Sequence, residues 1–98
     1  MEATHELLGA KERAILKGVG SGALRTRSWA GQLPELASEP AGEFLLHDAL
    51  RRFEGAGLVR SRRGARGREY ALTPRGRAQL RVQQRFQGAL VRLISRSA

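Results

Sequence analysis

The chain has no cysteine among its 98 residues, which excludes a disulfide framework and any thiolate-ligated zinc site. Histidine is almost as scarce: only His5 and His47 are present, and their wide spacing fits no common metal signature. With two distant histidines, no thiol and few carboxylates in the second half, no nucleophile, base and orienting group can be assembled, so an enzyme is not expected. Three phenylalanines, one tryptophan and one tyrosine build no evident stacking platform, which weighs against RNA as a partner. No apolar run approaches the roughly 20 residues needed to cross a bilayer, and Met1–Glu6 has neither the basic start nor the apolar stretch of a secretory leader. A soluble cytoplasmic protein without a membrane partner is expected. No cofactor is implied either, because Gly18-Val19-Gly20-Ser21-Gly22 lacks the preceding strand that a phosphate-binding glycine loop requires.

What the chain has in excess is arginine. The formal net charge is +9, unevenly distributed. Residues 1–50 carry five basic and seven acidic side chains, a net −2, whereas residues 51–98 carry thirteen basic and two acidic ones, a net +11. A field of this sign concentrates polyanions and speeds their encounter, and the guanidinium forks onto phosphate and guanine better than an ammonium does. GC-rich coding also favours arginine, and a solvated basic face is the plain alternative.

The length predicts a single domain over 1–98, small enough that its stability alone is marginal and oligomerisation a natural remedy. Leu7, Leu8, Ala14, Ile15 and Val19 recur near helical spacing and predict a helix from Thr4 to Val19, capped by Thr4, with Glu6 in the first turn and Gly18, Gly20 and Gly22 at its end. Trp29, Leu33 and Leu36 share a face of a second helix, 28–36, where Pro34 is awkward. Thr26 or Ser28 can cap it. Ser38 to Gly42 reads as a turn. Leu46, Leu50 and Phe53, with Ala49 beside them, form the stripe of a third helix, 43–56, stopped by Gly57. Two short segments, 58–62 and 68–73, flank a glycine-containing loop at 63–67 and read as a β-hairpin. Thr73-Pro74 starts a last helix, 74–96, by the pairing of a capping hydroxyl with proline at the first helical position. The fold class is therefore α+β and mainly α: three helices, a two-stranded hairpin and a C-terminal helix, with a core of about 1–80.

Ala49-Leu50-Arg51-Arg52-Phe53-Glu54-Gly55-Ala56-Gly57-Leu58-Val59 resembles the end of the recognition helix in PadR-like winged helix-turn-helix regulators. Arg68-Glu69-Tyr70-Ala71-Leu72-Thr73-Pro74-Arg75-Gly76-Arg77 resembles the second wing strand and following helix of the same family, and MarR-type regulators share the outline. The resemblance covers roughly residues 44–80 well, and residues 6–36 only in helix order. PadR-like proteins usually carry an aromatic where this chain has His47, and often a proline where it has Asp48. The family implies a transcriptional regulator, more often a repressor, that binds double-stranded DNA as a homodimer; no small-molecule effector can be named.

A helix fits the major groove, where only a few exposed side chains near its start reach base edges. Opposite the apolar stripe those are Glu43, His47 and Arg51. A carboxylate accepts from the cytosine amine, histidine donates to purine acceptors and arginine forks onto guanine. Arg62, Arg63, Arg66 and Arg68 on the wing would lie over phosphates or in the minor groove. Arg25, Arg27 and Ser28, before the second helix, would touch backbone phosphate. Each has a plain counterpart: edge-strand solubility for the wing arginines, a helix-dipole role for Glu43, and a surface pair with Glu54 or Asp48 for Arg51. Trp29 is expected in the core. Val82, Phe86, Leu90 and Leu93 are expected to form a dimer seam. The competing function is a winged helix that docks an acidic protein partner.

Overall fold

A computed structural model describes residues 8–65 and 67–97, and side chains as far as Phe86. The chain order is α1 (Ala10–Gly20), β1 (Leu24–Arg25), α2 (Trp29–Gln32), α3 (Pro34–Ala37), α4 (Gly42–Gly55), β2 (Val59–Gly64), β3 (Gly67–Leu72) and α5 (Pro74–Ser97). The strands form one antiparallel sheet in the order β1-β3-β2.

Gly9 caps α1, and Glu12 folds back so that its carboxylate accepts the Gly9 amide at 3.2 Å. That contact satisfies one of the donors a helix start leaves orphaned. The helix thus begins at Ala10 rather than at the expected Thr4, and it runs through Gly18 and Gly20, the glycines expected to end it, to close at Ser21; Thr4 and Glu6 themselves lie outside the described residues. The helix expected over 28–36 is instead two single turns, α2 and α3, and the cause is Pro34. Proline cannot donate to the carbonyl four residues back and pushes the preceding residue out of the helical region. Leu33 accordingly sits at φ −132°, ψ 68°, and Pro34 opens α3 at its first position. Trp29 is half-buried and packs against the core rather than within it.

The helix α4 closes as the sequence predicts. Gly57 adopts φ +78°, its amide donates to the Glu54 carbonyl at 3.0 Å, and the Leu58 amide reaches back to Phe53 at 2.8 Å. This double closure uses the left-handed conformation that glycine takes at least cost. Thr73 opens α5 as expected: its hydroxyl oxygen accepts the Gly76 amide at 3.0 Å and donates to the Gly57 carbonyl at 2.6 Å.

Two features of the sheet depart from expectation. The hairpin loop is shorter, because Arg63 pairs with Arg68 and Gly64 with Gly67, extending both strands to a two-residue connection. Gly67 accommodates the tight turn at φ +89°. A third strand is also present: Leu24 and Arg25 pair with Tyr70 and Glu69.

The core joins all three layers. Ile15, Leu16 and Val19 of α1 meet Leu46, Ala49, Leu50 and Phe53 of α4, with Leu24, Val59, Tyr70 and Leu72 from the sheet and Leu33 and Leu36 beneath. Gly42, the first residue of α4, is buried; the Leu36 carbonyl oxygen occupies the space where a Cβ would project, and the Trp29 ring closes over it. This contact fixes α3 against α4 across the turn of residues 38–41, and with it the direction in which α4 presents its outer face.

Candidate nucleic-acid interface

The buried residues of α4 occupy one side, so its other side faces water. His47 and Arg51 are exposed there. Glu43 is exposed in the first turn but, against expectation, stands about 70° from the centre of the buried face rather than opposite it, because it precedes Leu46 and Leu50 by three and seven residues. His47 Nε2 lies 3.8 Å from the Glu43 carboxylate one turn earlier. Arg51 makes no ion pair among the described residues. The surface pairing anticipated for it belongs to its neighbour: Arg52 binds Asp48 at 3.1 Å and Glu12 of α1 at 2.5 Å. Hydrogen bonding to Glu12 comes first among the causes that raise the Arg52 pKa. Glu54 is engaged as well, accepting the Ser61 hydroxyl at 2.9 Å.

Successive strand residues point to opposite faces, and the register divides the ribbon arginines into two sets. On the outer face, Arg62 lies opposite Glu69, and Glu69 is also paired with Arg25 of β1. The carboxylate sits 3.2 Å from Arg62 and 3.6 Å from Arg25, with only 18% of its side chain exposed. These two guanidinium groups are therefore held in a row across three strands, with part of their charge offset. On the other face, which carries Val59, Tyr70 and Leu72 into the core, the ribbon continues past the core to Arg63 and Arg68. These face each other directly, a like-charge pair that costs stability in isolation. Arg68 donates to the Ser61 hydroxyl at 3.1 Å, linking it to Glu54 at the end of α4.

The segment before α2 runs beside the ribbon. The Thr26 amide donates to the Arg68 carbonyl at 3.0 Å, the Thr26 hydroxyl accepts the Arg68 amide at 3.2 Å, and Arg27 passes next to Gly67. Ser28 precedes α2 with its side chain exposed and makes no cap bond. Thus Arg25, Arg27, Arg62, Arg63 and Arg68 are gathered around one ribbon. Arg66 lies outside the described residues. Val82 and Phe86 are exposed on α5, at 36% and 51%; Leu90 and Leu93 fall outside the residues whose side chains are described.

Two elements of this surface are not evident in sequence. Glu69 reaches Arg25 as well as Arg62 only because β1 joins the sheet, which no local pattern signals. Phe44, also on the outer side of α4, is 68% exposed; its signal is an apolar residue out of phase with the helix stripe.

Among the described residues, no group of three or more histidine or acidic side chains could hold a metal, and no helix is long and apolar enough to cross a membrane. Burial pushes the Tyr70 phenol pKa up, with the Glu54 charge adding to it and Arg68 opposing.

The sequence matches no protein-family model and no curated protein. Solved structures do resemble it. A MarR family transcription regulator superposes with a TM-score of 0.71 at 25% identity, over 93% of this chain and 59% of the regulator. The chain thus spans about three-fifths of that protein. The hsRosR-S4 protein, solved as a complex, gives 0.66 at 20% identity, covering 98% of this chain and 97% of its own. BpsR of Bordetella bronchiseptica, whose DNA binding is regulated by 6-hydroxynicotinic acid, gives 0.60 at 18% identity, covering 93% and 76%. The architecture is a winged helix-turn-helix: α2–α3 and α4 form the helix-turn-helix, and β2–β3 the wing.

Proposed function

We propose that this chain is a transcription regulator that binds duplex DNA, with α4 reading base edges in the major groove and the β2–β3 wing on phosphates or in the minor groove. The observation that carries this reading is the Arg63–Arg68 pair. Two cations directly opposed on an exposed ribbon are a cost in the free protein that a polyanion relieves. His47 and Arg51 on the outer side of α4 supply donors suited to purine edges. The winged-helix likeness to a MarR family regulator supports the same function, and a binding protein rather than an enzyme fits both. The more detailed reading is a homodimeric repressor of PadR-like or MarR-like type, with Val82, Phe86, Leu90 and Leu93 of α5 in the dimer seam. A dimer presents two copies of α4 to successive major grooves of a near-palindromic site.

The test is selection from a random duplex pool, followed by titration of the enriched site at two salt concentrations. A preferred sequence whose affinity falls steeply with salt supports the reading. Weak binding at about 50 mM salt, or no preference over random duplex, removes it and leaves an acidic protein as the alternative partner.

A further inference from the structure

Phe44 is at odds with its surroundings. The other apolar side chains of α4 are buried or half-buried, yet this phenyl ring is 68% exposed. At about 100° per residue, Phe44 lies roughly 180° from the centre of the buried Leu46, Ala49, Leu50 and Phe53 face. It therefore stands at the middle of the outward face, with His47 one turn further along and Arg51 two. Packing does not account for it, since it belongs to no part of the core. Helix propensity does not either, because Glu, Lys or Arg would favour the helix more at an exposed site.

Base edges in the major groove present donors, acceptors and one apolar feature, the 5-methyl group of thymine. We infer that Phe44 is a specificity-determining residue that reads thymine by packing its ring against that methyl. This inference rests on the assignment of α4 to duplex DNA. Its position supports DNA over an apolar protein groove. Phe44 is the third residue of α4, where a recognition helix approaches base edges, and it shares its face with His47 and with Arg51, which has no ion pair among the described residues. The nearby Asp48 is engaged by Arg52 at 3.1 Å, so its charge is offset.

The experiment uses the full chain and the duplex it enriches from a random pool, with deoxyuridine replacing thymidine one position at a time. Uracil keeps the pairing and the O4 acceptor and lacks only the methyl. The wild type should lose affinity about three- to fivefold at one or more thymine positions, the value of one buried apolar carbon. Phe44→Ala should bind the thymine and uracil duplexes equally, and Phe44→Leu should retain part of the difference. Unchanged thermal unfolding of both variants accompanies this result, given the exposure of the ring. The inference is overturned if the wild type binds its duplex yet ignores every substitution, or if Phe44→Ala keeps the full methyl sensitivity. A wild type that enriches no duplex removes the assignment of α4 to DNA, and the role of Phe44 with it.

Discussion

Replacing Arg63 and Arg68 together by alanine separates binding from folding in a way that follows directly from the ribbon register. Each arginine that neutralises a phosphate contributes about 0.9 to the slope of log affinity against log salt, so the double variant should lose about 1.8. Over a fourfold rise in salt, from about 50 to 200 mM, the wild type should then lose roughly twelvefold more affinity than the variant. Stability should move little. The two arginines are directly paired residues of adjacent strands, a like-charge arrangement worth a few tenths to about 1 kcal/mol against folding, while removal of the exposed Arg68–Ser61 bond offsets part of the gain. The melting temperature of Arg63→Ala/Arg68→Ala should therefore equal or slightly exceed that of the wild type. Arg62→Ala is the control. Glu69 already shares that charge at 3.2 Å, so its removal should change the slope by well under the value of about 0.9 for an unpaired arginine. Fluorescence anisotropy with a labelled duplex at four salt concentrations gives all three slopes. The reasoning fails if the double variant keeps the wild-type slope, or if Arg62→Ala alone lowers it by the full value of about 0.9.

Three further outcomes are expected. His47→Ala or Arg51→Ala should change preference among sites by about 1–3 kcal/mol for each bidentate base pairing it removes, read by comparing the sequences each variant enriches; identical preferences would remove α4 as the reader. Gly42→Ala drives a methyl into the Leu36 carbonyl, and overpacking of this kind costs about 1–3 kcal/mol, measured as a lower urea midpoint; a wild-type midpoint would show that α3 and α4 can separate freely. The single tyrosine, Tyr70, should ionise above the usual value of about 10, because burial disfavours its phenolate. A pKa raised in the folded state means that the stability tied to the neutral phenol is complete below the ordinary tyrosine pKa and is lost as pH climbs through the folded value. An absorbance titration with an ordinary midpoint would contradict this.

The parts of the fold legible in the sequence are those set by neighbours along the chain. The α4 stripe, the Gly57 stop and the Thr73-Pro74 start all rest on interactions within a few residues, and each appears where the spacing puts it. The parts that are not legible depend on distant strands or helices. Leu24 and Arg25 are too short to show alternation, and they become a strand only because Tyr70 and Glu69 are beside them. The i, i+4 spacing from Asp48 favours Arg52 over Arg51 as the paired arginine, but the second partner of Arg52, Glu12, sits on another helix and has no local signal. Pro34 signals a break, but the periodicity of Trp29, Leu33 and Leu36 suggests one helix, and the missing amide divides it into two turns. The hairpin is evident while its length is not, since arginine and glycine at positions 63 and 64 read as loop until cross-strand pairing extends the ladder through them. Phe44 stands out only once the buried side of α4 has set the phase of the helix.

The junction at Thr73 has a mechanical consequence. Its hydroxyl bonds both the end of α4 and the start of α5, and Gly76 lies so close to the Leu58 carbonyl that no Cβ would fit between them. The 24 residues of α5, about 36 Å of helix, are thereby clamped at one end to the root of the wing. A rotation of α5 at this junction is therefore felt directly at the root of the arginine-bearing ribbon and at the residues that close α4.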